Sequence, residues 1–514
     1  MIVIAAIRKN IGVLALVGLS LTYALSLDYV SLNPDELFSI YLAKQDLSFI
    51  CGYAWHADTN PPLHTLLLKA WSGLFGYSAT STRALSLLAA LGAAAVVDGI
   101  ARVCAPRSFR HRVLPSLIFL LSTTVAFYAL DTRPYAIWLL FVSLSMLGLA
   151  KFDLLFRDDP RPQTRRVLLA GLLYASGAIL GVYTHVTTVP YIAAANVTFL
   201  WMWLRRRPSR SLPELVVWGA LQVAIVLAIL PQLLVSMSQL DSHILDWIPP
   251  TKAASLPRPI VEVIAGNYAG HRLIVVIPLL LVTIATWLMV GFRQRKDDAP
   301  LELLFLLSAS GFVVILALSL VRPLLVAHTF AWILIPISLV NASATTWKNR
   351  RFADVAAWVL IVSTGINTGW YTWKTPQYLW REYLAEASSR IGPTDVLVVV
   401  GNTPITELAY YLPEQLGKTR RWVPAGYTRY EQTSAVIDDR VFAAQAISGA
   451  ELRHDLEAGR TVWLIERDAP FLVAQVETAF AGEVGALARP ASQWRYGTIS
   501  MTQYLSAVAG PRPF

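Results

Sequence analysis

A chain of 514 residues that is 55% hydrophobic, only 15% charged and has a mean hydropathy of +0.51 is too apolar for a soluble multidomain protein. It reads as a polytopic membrane protein. The net charge of +10 does not point to nucleic acid, because from residue 374 onward acidic and basic residues nearly balance and the excess lies in the apolar part. The tendency of basic loops to stay cytoplasmic accounts for that excess. Two cysteines, Cys51 and Cys104, fall on opposite sides of the predicted topology and form no disulfide framework.

Apolar runs of the length that crosses a bilayer, roughly 17–25 residues, occur at about 11–27, 84–104, 113–130, 134–150, 167–184, 188–204, 214–235, 273–292, 301–320, 328–347 and 353–373. Residues 113–150 also read as one broken hairpin. The first run, preceded by Arg8-Lys9 and followed by Ala24-Leu25-Ser26, has the outline of a cleaved secretory signal. The many runs after it favour a retained first helix.

Lys and Arg gather in alternate loops, around Arg8, Arg107–Arg112, Arg157–Arg166, Arg205–Arg210, Arg293–Lys296 and Lys348–Arg351. Basic short loops face the cytoplasm, which places the N-terminus inside and the C-terminus outside. Two outer regions are then long enough to fold. The first, about 28–83, contains the amphipathic stretch PLHTLLLKAWSGLFG, suited to lie along the membrane interface. The second, 374–514, has two strand-like runs, DVLVVVG at 395–401 and RTVWLIERD at 460–468, with PITELAYYLPEQL reading as a helix between turns. The expected organisation is a membrane region over 1–373, including outer loops 28–83 and 236–272, and a small extracytoplasmic α/β domain over 374–514.

The polar residues that carry chemistry lie in the outer loops. Asp35 and Glu36 follow Pro34 just beyond the first span, where one carboxylate could cap the helix that begins there or act as an acid or base. Residues 55–71, WHADTNPPLHTLLLKAW, add His56, Asp58, Asn60, His64 and Lys69. His56 and Asp58 could ligate a divalent cation, although no metal-specific spacing is met; a solvated loop stiffened by Pro61-Pro62 is the alternative. In the loop 236–272, Trp247 and Tyr268 suit sugar stacking or the membrane interface.

NPDE after the first span, the segment HADTNPPLHTLLLKAW continuing through LFG to STRALS, DTRPYAIW at 131–138, YTHVTTVP at 183–190, DWIPP at 246–250 and RPLLVAHTFAWILIP at 322–336 together resemble the GT-C glycosyltransferases. The sequence is most similar to the protein O-mannosyltransferase and aminoarabinose transferase superfamily, on its bacterial branch with the lipid-linked galacturonosyltransferase-like proteins. The resemblance covers roughly residues 10–340 and rests on the order and sidedness of motifs that are individually weak.

The resemblance implies a mainly α, polytopic GT-C bundle of about eleven spans with amphipathic juxtamembrane helices, located in the bacterial inner membrane. It implies transfer of a sugar from a polyprenyl-phosphate-linked donor to a glycolipid, polysaccharide or protein acceptor at the outer face. Asp35 matches the catalytic acid position, with Glu36 beside it, and Asp58 matches a second acidic position that would orient the acceptor or hold a cation. A departing lipid phosphate needs cationic partners. Arg133 and Arg322, each in a short outer loop, are the first candidates, and Lys69 is a further one; interfacial snorkelling is the alternative for the arginines. Tyr135, in the DTRPY motif, and His185, in the Y-x-H pattern, are candidate substrate contacts with His56, Asn60, His64 and Trp247; for His185 a helix-packing role is the alternative. In the last motif, where the family often has Arg before an aromatic, this chain has His328, a titratable group in place of a permanent cation.

A lipid-linked sugar flippase or transporter is the rival class. It would be expected to carry ionisable residues at mid-span, whereas Asp98 and Glu302 fall near inner ends and the polar clusters lie outside. A sensor or scaffold would need one or two spans, not eleven. No Gly-rich phosphate loop of a nucleotide-sugar enzyme is present.

Overall fold

The computed structural model describes residues 2–104, 113–159, 162–205, 212–239, 256–266, 273–292, 299–346, 350–374, 380–400, 403–413, 415, 419–422, 445–467, 473–496 and 499–507. The chain divides into two compact units, one comprising Met1–Leu27 and Leu47–Thr375, the other Asp28–Asp46 and Pro376–Phe514. The expected outer loop 28–83 is therefore divided. Its first part, with Asp35 and Glu36, folds with the C-terminal residues, and its second part folds with the helical bundle.

Among the described residues, the helical unit holds six helices long and apolar enough to cross a bilayer, Ala79–Cys104, Tyr135–Asp158, Thr164–Thr184, Leu212–Ser238, Ile274–Phe292 and Leu301–Val321. Further helices fill the other apolar runs: Ile2–Leu25, Thr188–Arg205 and Arg350–Lys374. Tyr135–Asp158 and Thr164–Thr184 pack most closely. A Cβ on Gly148 would lie 2.3 Å from the Tyr174 backbone nitrogen, and one on Gly177 would lie 2.5 Å from that of Ser145. Only glycine permits that approach, as small residues generally do where apolar helices meet without a hydrophobic drive between them.

Two of the apolar runs are broken. Residues 113–130 form Leu114–Leu121 and Thr123–Ala129, separated at Ser122, whose backbone leaves the helical region at φ −57°, ψ 127°. A break at membrane depth frees backbone groups that must find partners inside the protein. Here Thr368 donates to the Leu121 carbonyl at 2.5 Å and lies 3.0 Å from the Thr123 hydroxyl, which also accepts from Asn367 at 2.7 Å. Asn367 donates as well to the Ala265 carbonyl, and Thr124 to that of Val263 at 2.9 Å, tying in the short helix Pro257–Ala265. The run 328–347 is likewise interrupted, as Ala327–Phe330, a 3₁₀ turn Ala331–Ile333 and Leu334–Ala342.

Among the described residues, the other unit is built on a six-stranded sheet. Its strands are β1 (Val396–Val400), β2 (Thr419–Trp422), β3 (Gln445–Ala446), β4 (Val462–Arg467), β5 (Ala488–Tyr496) and β6 (Ile499–Ser506), in the order β3-β2-β1-β4-β6-β5. The first four are mutually parallel and the last two form an antiparallel hairpin against β4. Both faces of the parallel part are covered, which explains why β1 and β4 read as continuous apolar runs. Leu397, Val399, Trp463 and Ile465 pack on one side, with Val396, Val398, Val462 and Leu464 on the other.

Candidate functional site

The expected helix start at the acid pair is present, and it assigns the two carboxylates different surroundings. Helix Pro34–Lys44 is capped by Asn33, whose side chain accepts from the Glu36 N–H at 3.0 Å while Glu36 Oε2 accepts from the Asn33 N–H at 2.9 Å. This reciprocal pair satisfies two orphan donors of the first turn. Glu36 is buried in that role, whereas Asp35 is exposed on the opposite side of the same turn. Asp35 also sits at a helix N-terminus, where a negative charge is favoured.

Within the helical unit a second set of residues converges. The Tyr135 ring stacks on Tyr128 with centroids 4.6 Å apart and on His328 at 5.2 Å, and meets His185 at 5.5 Å. Tyr128 Oη lies 3.2 Å from His328 Nδ1, a hydrogen bond whose direction follows the imidazole tautomer. His185 is held on its other side by Trp138, at 5.0 Å between rings, and its Nδ1 lies 2.6 Å from the Thr187 hydroxyl. The Trp138 indole N–H donates to Thr188, which in turn donates to the His185 carbonyl. An open cleft beside the helix break at Ser122 is lined by Thr123, Thr124, Phe127, Tyr128, Gly266, Ala327 and His328.

Arg133 joins this set electrostatically. Burial, and after it the Arg133 charge, pushes the His64 pKa down to about 3. At His185 burial is the larger cause, followed by His328 and Arg133, again bringing it down to about 3. Both imidazoles are therefore neutral at ordinary pH, and the guanidinium carries the fixed positive charge. His64, on the helix Leu63–Phe75, is only 3% exposed and its Nε2 has no hydrogen-bond partner. Nearby in sequence, Arg83 is almost fully buried and donates to the Leu27 carbonyl at 2.9 Å, and Thr132 donates to Thr82 at 3.0 Å.

The segment 55–60 is organised differently. Asp58 Oδ1 accepts from the Asn60 backbone and side-chain amides at 3.0 and 3.2 Å, closing an Asx turn. Gln239 donates to the backbone carbonyls of His56 and Asp58, and Trp55 donates to Gln232. His56 is exposed, and among the described residues no three His, Cys, Asp or Glu side chains gather into a ligand set. Lys69 and Arg322 are half-buried. Trp247 and Tyr268 lie outside the described residues.

Tyr128, Trp138, Thr187 and Thr188 are the contributors that sequence reasoning did not assign. Trp138 and the two threonines lie inside the DTRPYAIW and YTHVTTVP motifs, so their position was a usable signal. Tyr128 lies in the apolar run 113–130, where an aromatic reads as packing.

A broken-helix bundle of apolar spans, interfacial helices and an α/β domain defines the GT-C fold. That architecture is shared with ArnT, the aminoarabinose transferase of Cupriavidus metallidurans: its apo structure superposes with a TM-score of 0.63 at 10% identity, covering 98% of this chain and all of that one. The structure of ArnT bound to undecaprenyl phosphate gives a TM-score of 0.59 at 12% identity, covering 97% and 99%. No protein-family model and no curated protein matches the sequence.

Proposed function

We propose that this chain is an integral membrane glycosyltransferase of the bacterial inner membrane, with its N-terminus in the cytoplasm and its C-terminal domain outside. It moves a sugar from a polyprenyl-phosphate-linked donor to a glycolipid, polysaccharide or protein acceptor at the outer face. The observation that carries this reading is the convergence of Arg133, His64, Tyr135, His185 and His328, which four separate sequence segments contribute. A fold shared with a structure that holds undecaprenyl phosphate supports the class of donor.

In the reaction the acceptor hydroxyl oxygen forms a bond to the anomeric carbon as the bond from that carbon to the phosphate oxygen breaks. The bonding electron pair leaves on the lipid phosphate, and the acceptor proton passes to a carboxylate. Asp35, exposed on the first turn of its helix, is assigned that proton. Arg133 is assigned to the phosphate, whose charge grows as the sugar departs. With His64 and His185 neutral, that charge faces a guanidinium flanked by polar but uncharged imidazoles. The aromatic faces of Tyr135 and Tyr128 suit an apolar sugar face or the first isoprene units.

The test is mass spectrometry of envelope glycolipids and glycans from matched cells carrying the wild-type chain, Asp35→Asn, or no copy. A sugar modification seen only with wild type supports the transferase. If wild type and Asp35→Asn give the same products and only deletion changes them, the flippase or transporter reading takes its place.

A further inference from the structure

We infer that the C-terminal domain is the mount of the catalytic carboxylate, with Tyr411 as a positioning residue for Asp35. The inference rests on the assignment of Asp35 as base.

The segment Asp28–Asp46 belongs to the same compact unit as residues 376–514. Four separate attachments hold it there. The Leu32 N–H donates to Tyr411 Oη at 2.7 Å. The Arg381 N–H donates to the Ser31 hydroxyl at 3.0 Å, which lies 3.4 Å from Glu382 Oε2. The Arg381 guanidinium meets the Asp28 carboxylate at 3.1 Å. Phe38 and Tyr41 pack against the cluster formed by Trp380, Tyr383, Leu384, Leu408 and Trp463, beneath one face of the sheet.

Those attachments act on the direction in which Asp35 points. Leu32 is immediately followed by the Asn33 cap, and the capping box fixes the backbone from Asn33 to Glu36. With Leu32 pinned on one side, and Glu36, Leu37 and Ile40 buried on the other, the first turn has no freedom to rotate about its axis. Asp35 is left outward because its neighbours in the helix are held inward. Tyr411 lies 379 residues from the amide it receives, and of the hydrogen bonds just described its hydroxyl makes the one closest to the helix start. It touches no reacting atom; it acts on catalysis only through Asp35.

The test uses full-length protein reconstituted in liposomes with a total envelope extract of cells lacking the protein, which contains donor and acceptor unconsumed. Rates are read by mass spectrometry of the product, and backbone amide exchange is followed in the same preparations. Tyr411→Phe keeps the ring and removes the hydroxyl. Expected is a fall of about tenfold in rate at saturating extract, the scale of a misplaced reacting group, with the extract concentration for half-maximal rate unchanged. Amide exchange should quicken at residues 32–40 and stay constant in β1 and β4. Ser31→Ala, on an independent attachment, should shift both readouts in the same direction by less. A wild-type rate in Tyr411→Phe, or faster exchange spread equally through β1 and β4, overturns the inference. Asp35→Asn run alongside separates the two ideas: if it abolishes transfer while Tyr411→Phe matches wild type, only the positioning role fails; if it transfers normally, the base assignment fails and the positioning role with it.

Discussion

The Tyr128 hydroxyl and His328 Nδ1, 200 residues apart in sequence, lie 3.2 Å from each other beneath the stacked ring of Tyr135. A phenol hydroxyl can donate to or accept from an imidazole nitrogen, so this bond holds the ring in place in either tautomer and fixes where its other nitrogen is presented. Tyr128→Phe should therefore lower transfer at limiting donor by about five- to tenfold, matching the roughly 1 kcal/mol of one hydrogen bond. A donor titration of the rate checks this, and a variant indistinguishable from wild type removes Tyr128 from the site.

Asp35→Asn removes the proposed proton acceptor while keeping the shape and the helix start intact. Transfer should fall by about 10²–10⁴, the range of general base catalysis, with thermal stability close to wild type because Glu36 and Asn33 retain the capping box. The paired measurements are product formation and a melting curve in detergent.

Arg133→Ala should weaken use of the lipid donor more than Lys69→Ala, because Arg133 is the cation that faces the buried His64 and His185 and adds to the lowering that burial causes there. A reduction of about 10²-fold in transfer at limiting donor is the scale of a lost contact to developing charge. Arg322→Ala is expected to rank with Arg133→Ala. Equal and small effects across all three variants would mean that the cations anchor the protein at the lipid headgroups instead.

Acid should destabilise the protein partly through His64. Its folded pKa of about 3 lies below the unfolded value near 6.5, so between those values the unfolded chain binds more protons than the folded one. Stability then rises with pH across that window and falls as the solution is acidified through it. His64→Gln, which has no such titration, should flatten the slope of melting temperature against pH between about 4 and 6.5. An unchanged slope would assign the acid sensitivity to carboxylates elsewhere.

The approach of helices Tyr135–Asp158 and Thr164–Thr184 leaves no room at Gly148 or Gly177, where an added methyl would meet backbone atoms. Gly177→Ala should cost about 1–3 kcal/mol through overpacking and lower the melting temperature. Gly219→Ala, with nothing within 4 Å of the added atom, serves as the control.

Much of this arrangement can be read from residue patterns where one physical effect dominates. Apolar runs mark the membrane helices because burying a charge in lipid is costly, and β1 and β4 stand out because a sheet covered on both faces needs apolar side chains in succession. Strand β5, ARPASQWRY, has no such signature: it lies at a sheet edge, contains Pro490 and shifts register between Pro490 and Ser492. The break at Ser122 was equally hidden, since its repair comes from Asn367 and Thr368, about 245 residues away. At the site, charged and aromatic motifs pointed to Arg133, Tyr135, His185 and His328. The attachment of the Asp35 helix to Tyr411 left no trace in sequence, because a tyrosine that fixes an amide is indistinguishable there from one that fills a core.

The docking of Leu32 on Tyr411 also sets a schedule. The helix that bears Asp35 emerges early in synthesis, yet its hydroxyl partner is 379 residues further along. At about 5–20 residues per second, the two are separated by roughly 20–75 s of translation. During that interval Leu32, Leu37 and Ile40, all buried in the finished protein, have nothing to pack against in their own unit. The spans can insert one after another as they emerge, but the Asp35 helix gains its Tyr411 contact only late, so a chain halted before Tyr411 carries its apolar helices with the proposed base not yet held in place.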